Sequence, residues 1–141
     1  MANGVGVIVN ANGQLGTIQS SARYKDDIKP MDKASDAILA LKPVTFRYKE
    51  ELDPDKIPQF GLIAEEVEKI DPDLVVRDED GNVSTVRYEA VNAMLLNEFL
   101  KEHRRVQELE KQIQALTVTM QRVRHQLQPG SRSPQAGAED F

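Results

Sequence analysis

The most regular pattern of apolar and polar positions lies in the last third of the chain. From Glu89 onward no Gly or Pro occurs until Pro129. Within that run Val106, Ile113, Met120 and Leu127 stand seven apart, and Leu109, Leu116 and Val123 follow three residues after the first three of them. The frame extends back through Phe99 to Leu95, with Glu102 as its one interruption. A four-three spacing held this long predicts a helix from roughly Tyr88 to Gln128, whose narrow apolar stripe forms a coiled-coil seam with identical partners. The alternative is one amphipathic helix packed on its own domain; the polar flanks of the stripe favour the seam. The mix of Val, Ile, Met and Leu does not by itself fix the number of strands.

Upstream, the periods are shorter. Val5, Val7 and Val9 alternate with small residues, and Asn10-Ala11-Asn12-Gly13 separates them from Leu15 and Ile18, which predicts a short β-hairpin or edge strand pair continuing a larger β structure. SSARYKDDIKP (20–30) is polar and without a clear period. Met31, Ala34, Ile38 and Leu41 have helical spacing ahead of Pro43, with Asp32 as the expected N-cap. VTFRYK (44–49) alternates as a half-buried strand, and 50–59, with two prolines, reads as a loop. GLIAEEVEKI (61–70) puts Leu62, Ile63, Val67 and Ile70 on one helical face, and Asp80-Gly81 turns a hairpin within 74–88. The tail from Pro129 to Phe141 is rich in Pro, Gly and Ser and is expected to be disordered.

Composition narrows the classes. Apolar residues make up 40% and aromatics 5% of 141 residues, enough for a modest core only. The net charge is −5, and the 18 basic residues are interspersed with acids, so no basic stripe for nucleic acid is visible. No apolar run approaches the ~20 residues that span a bilayer, so no membrane partner is expected. The N-terminus lacks the charged and apolar regions of a signal peptide and reads as a cut end.

Candidate chemistry is sparse. No cysteine is present, and the two histidines, His103 and His125, lie 22 apart on the predicted helix, so no metal or cofactor is expected. The acidic pairs Asp26-Asp27, Glu50-Glu51 and Glu65-Glu66 read as solvated faces, and the glycines form no phosphate loop. There remains Ser20-Ser21-Ala22-Arg23-Tyr24-Lys25. A neutral Lys can activate a Ser nucleophile. Spacing alone is weak evidence, because in a regular helix residues five apart do not face each other and could meet only across an irregular turn.

Taken in order, SSARYKDDI, KPVTFRYK, FGLIAEEVEKIDPDLV and VRYEAVNAMLLNEFLKE, followed by a coiled coil, resemble a known family. It is the self-cleaving intramolecular chaperone domain at the C-terminus of phage tailspikes, tail fibres and endosialidases, which is also similar to a domain of myelin regulatory factor. The resemblance runs from about Gly13 to about Leu116. It implies an α+β fold: a small helix/strand head with short β-hairpins, then a long C-terminal helix forming a parallel trimeric coiled coil. It also implies a division into 1–19 as the end of an upstream fibre or stalk, 20–98 as the chaperone and autoprotease head, 99–128 as the coiled coil, and 129–141 as the tail. The trimer seam would comprise Phe99, Val106, Leu109, Ile113, Leu116, Met120, Val123 and Leu127.

By the same resemblance the domain aligns three fibre chains as a homotrimer and then cuts itself off in a single turnover without a cofactor. Ser20 would be the nucleophile of a Ser–Lys dyad, Lys25 its base, and Gln19–Ser20 the scissile bond, with oxyanion donors not identifiable beyond a guess at amides near Arg23. Arg23 and Asp26 match the motif in an orienting role. Some family members carry a His linked to cleavage; this sequence has none before His103, so no catalytic His is carried over. Assembly would take place in the cytoplasm of the producing bacterial cell, with the parent fibre ending on the virion. Two other readings compete with this one: a non-catalytic trimerisation cap that stays attached, and a coiled-coil adaptor unrelated to fibres.

Overall fold

The structure is a computed structural model and describes residues 4–10 and 12–128. It is α+β, with three short antiparallel strand pairs and one long C-terminal helix. The chain forms two units, Met1–Leu100 and Lys101–Phe141.

In the first unit, β1 (Ile8–Val9) pairs with β2 (Leu15–Gly16) in the expected hairpin. Its turn is held by Asn10, whose Oδ1 accepts from the amides of Asn12 and Gln14 at 3.0 and 2.9 Å, while Gly13 takes φ +75. That positive φ is where glycine is least strained. The valines and isoleucine around this hairpin are exposed, so it buries nothing of its own.

The segment with helical spacing after Met31 forms a 3-10 helix, Asp32–Ala40, rather than an α-helix. With 3.0 residues per turn, side chains three apart eclipse each other. Ser35 and Ile38 are accordingly its buried residues, and Leu41, three further on, is half-buried. Asp32 does not cap this helix. Met31 occupies the N-cap position, and Asp32 instead adopts φ +45, a left-handed conformation that Asp tolerates better than most residues.

β3 (Val44–Phe46) pairs with β4 (Gln59–Gly61), a strand that the proline-flanked sequence did not suggest. The loop between them is tied down by Arg47, which donates to the Lys56 carbonyl at 2.9 Å, and by Asp53 Oδ2, which accepts from the Ile57 amide at 2.8 Å. The helix α1 (Ala64–Ile70) starts three residues later than the apolar pattern suggested, since Gln59–Gly61 is spent on the strand. α1 packs on the hairpin of β5 (Val75–Arg77) and β6 (Val83–Val86), which turns at Gly81 with φ +83. An ion pair from Arg77 to Glu68 ties β5 to α1.

α2 (Tyr88–Leu127) begins in this unit and contributes Val91 and Met94 to the core. Among the described residues the core comprises six buried apolar side chains, Ile38, Val67, Leu74, Val86, Val91 and Met94. One buried polar group, Ser35, joins the 3-10 helix to α2. Its Oγ accepts from Asn97 Nδ2 at 2.7 Å and donates to Glu98, and the same Asn97 amide reaches the Asp32 carbonyl at 3.1 Å. Nearby, the Tyr88 hydroxyl accepts from the Leu62 amide at 3.0 Å. That oxygen lies so close to Gly61 that a Cβ there would approach it to 2.8 Å.

The second unit continues α2 from Lys101. The residues expected to form a seam, Val106, Leu109, Ile113, Leu116, Met120, Val123 and Leu127, are all exposed, Leu127 at 76%. Thr117 and Thr119 turn their hydroxyls back onto the carbonyls four residues earlier, so these polar flanks are satisfied within the helix. The tail expected to be disordered, 129–141, lies outside the described residues.

Candidate functional site

The segment that holds Ser20 and Lys25 is short and irregular. Ser21 is extended, with φ −66 and ψ 139, and so is Lys25, with φ −128 and ψ 135. Between them Ala22–Tyr24 closes a single 3-10 turn, through the bonds Tyr24 N to Ser21 O at 3.1 Å and Lys25 N to Ala22 O at 3.0 Å. Two extended arms joined by one tight turn fold back toward each other. The Lys25 ammonium consequently donates to Ser20 Oγ at 3.3 Å. A regular helix would have kept residues five apart on different faces.

The site lies open on the surface: Gln19, Ser20 and Lys25 are all exposed. Gln19 donates through Nε2 to Thr17 Oγ1 at 3.2 Å, which orders the residue preceding Ser20. On the far side of the turn Arg23 stacks its guanidinium over the Tyr24 ring, 4.7 Å from the centroid, directing that side chain along the turn surface. The amides of Tyr24 and Lys25 are engaged in closing the turn, so neither is available as an oxyanion donor in this geometry. Asp27, which follows, has φ +51 and redirects the chain.

Of the residues singled out by sequence, the structure brings Ser20 and Lys25 together and leaves the seam residues of α2 exposed as one stripe. Three polar contacts were not foreseen: Ser35 with Asn97, Ser35 with Glu98, and the Tyr88 hydroxyl on the Leu62 amide. Ser35 could have been suspected from a period of three through Ser35, Ile38 and Leu41; the Tyr88 contact left no mark in any local pattern. Among the described residues no helix is long and apolar enough to cross a membrane, and no group of three His, Cys, Asp or Glu could hold a metal ion.

Residues 20–76 match the family described as chaperone of endosialidase, a peptidase family. The match opens on Ser20 itself and takes in the 3-10 turn, the 3-10 helix Asp32–Ala40, the whole β3–β4 pair and α1, and it ends within β5. No curated protein matches the chain.

Proposed function

We propose that the chain trimerises through the α2 seam, aligns three copies of an upstream phage-type fibre or tailspike, and then releases itself by cutting Gln19–Ser20. The 3.3 Å contact between Lys25 Nζ and Ser20 Oγ carries this reading, because it brings a potential base to a potential nucleophile at the first residue of the matched segment.

The chemistry follows from position. Ser20 Oγ can reach the carbonyl carbon of Gln19 by closing a five-membered ring, so the attack is intramolecular and most of its entropy cost is already met by the backbone. Lys25, in its neutral form, accepts the hydroxyl proton as the C–O bond forms. As protonated Lys25 returns its proton to the Ser20 nitrogen, collapse of the tetrahedral centre breaks the C–N bond, frees the Ser20 α-amine, leaves Gln19 esterified to Ser20 Oγ and restores neutral Lys25. Water then attacks the ester with Lys25 again serving as base, giving a Gln19 carboxylate and a regenerated Ser20 hydroxyl. No cofactor is needed, and each chain turns over once.

The seam supports the chaperone half. Seven apolar residues at four-three spacing lie exposed on α2 from Val106 to Leu127, and Phe99 extends the stripe toward the head at 66% exposure. Burying each such side chain contributes about 1.5–3 kcal/mol, which favours association of identical helices. Three chains joined there would have their residues 1–19, and whatever fibre precedes them, gathered in one place. Assembly would occur in the cytoplasm of the producing bacterial cell, and the parent fibre would go to the virion without this domain.

Expression of the full chain beside Ser20→Ala and Lys25→Ala tests the proposal on a denaturing gel. The unsubstituted chain should split and both variants should remain whole. If the unsubstituted chain associates but stays whole, the domain is a trimerisation cap that remains attached to its fibre.

A further inference from the structure

Carried back by sevens from Phe99 and Glu102, the heptad frame of α2 falls on Asn92, Leu95 and Tyr88. These three side chains line an open groove of about 480 Å³ in the head, together with Pro43, Val44 and Phe60. We propose that this groove is a docking site for a second copy of the chain, so that the heads join as well as the C-terminal part of α2. The proposal rests on the self-association read above and goes beyond it by giving the head a share of the interface.

The chemistry of the groove is that of an interface centre. Among the described residues that line it, none carries a charge. Two other clefts of the head differ: one is edged by Lys42, Glu66 and Lys69, and the other by Glu65. Charge is depleted and aromatic residues are enriched where proteins bury the middle of a contact. Phe60 is 81% exposed at the groove and Leu95 is 53% exposed, so covering them removes a large apolar area from water. Tyr88 is fixed beforehand, because its hydroxyl accepts from the Leu62 amide at 3.0 Å and sits where Gly61 has no Cβ. A side chain held in place before docking loses little freedom when a partner arrives.

The heptad frame selects a second copy as the occupant. Tyr88, Asn92 and Leu95 belong to the same helix as the apolar stripe from Val106 to Leu127 and hold the same phase of its repeat. A helix that packs along that stripe and keeps its course therefore meets these three residues next. A copy of the chain also brings matching chemistry, since it presents the same exposed Phe60 and Leu95. The Asn92 amide has both donors and an acceptor, so copies can satisfy one another at that position. A small apolar ligand would fit the composition of the groove but gives no reason for the phase it shares with the seam.

The test uses the full chain carrying Ser20→Ala, so that it stays whole, and follows association by sedimentation over a range of concentrations. Phe60→Ser should raise the concentration of half-association by about tenfold or more, because every copy loses a large apolar contact. Leu52→Ser is the matched control: Leu52 is 76% exposed in the β3–β4 loop, outside the groove, and its loss should leave that concentration unchanged. Circular dichroism checks that both variants keep the fold, as expected for exposed side chains. The sequence has no cysteine, so Thr45→Cys, opposite Phe60 in the β3–β4 pair, supplies a single reporter. Its reaction with a maleimide should slow several-fold as the monomer assembles. If the chain associates while Thr45→Cys reacts at its monomer rate, or while Phe60→Ser behaves as Leu52→Ser does, head docking is overturned and the seam on α2 stands alone. A chain that sediments as a monomer at every concentration overturns the self-association reading itself, and head docking with it.

Discussion

Ser20 and Lys25 are an ordinary pair of surface residues until the backbone between them is considered. Five positions apart, they meet because Ala22–Tyr24 tightens into one 3-10 turn between two extended residues. We therefore expect the turn to matter as much as the pair. Lys25→Arg keeps the positive charge and the reach but cannot supply a neutral base, so cleavage should be lost although the fold is unchanged; intact mass and circular dichroism together check this. Elsewhere in the head, two residues hold contacts that can be broken singly. Ser35→Ala withdraws a buried partner from Asn97 and Glu98 and should cost about 1–3 kcal/mol in urea unfolding. Gly61→Ala drives a methyl group to within 2.8 Å of the Tyr88 hydroxyl and should cost a similar amount, about 1–3 kcal/mol.

At the scale of elements, legibility in the sequence followed the length of each pattern. α2 declared itself through successive heptads interrupted only at Glu102, and the β5–β6 hairpin through Asp80-Gly81 between two apolar runs. The first hairpin was visible for the same reason, in alternating valines and an Asn-rich turn closed by Gly13. The segment after Met31 was read as helical, but its type was not. Three or four apolar positions fit a period of 3.0 as well as 3.6, and only burial of Ser35 beneath α2 decides between them. β4 was missed because Gln59–Gly61 has no period of its own and is a strand only through pairing with Val44–Phe46, which is distant in sequence. The turn at Ser20 had no pattern to reveal it; the motif there became informative only through its resemblance to the chaperone family. For α2, replacing both Val106 and Ile113 with Asp should give a monomer by sedimentation that no longer cuts itself, since each charge would have to be buried in the seam.

For the whole molecule, the two halves of the account bear on each other. The head buries six apolar side chains, a small core for a unit of this length, while the second unit leaves an entire apolar stripe uncovered. In the proposed assembly that stripe would be buried between copies of the chain, adding apolar burial that the single chain lacks. Association comes before release in the order proposed here, so dilution below the association midpoint should slow cleavage of the full chain. The central claim is that Ser20 attacks the bond preceding it, and intact-mass measurement of the purified full chain, incubated until no further change occurs, tests it most directly. The account predicts two species, residues 1–19 ending in a free Gln19 carboxylate and a product running from Ser20 to Phe141, with the Ser20→Ala chain showing neither. A chain that forms its oligomer and keeps its full mass throughout, or one cut at any other bond, would contradict it.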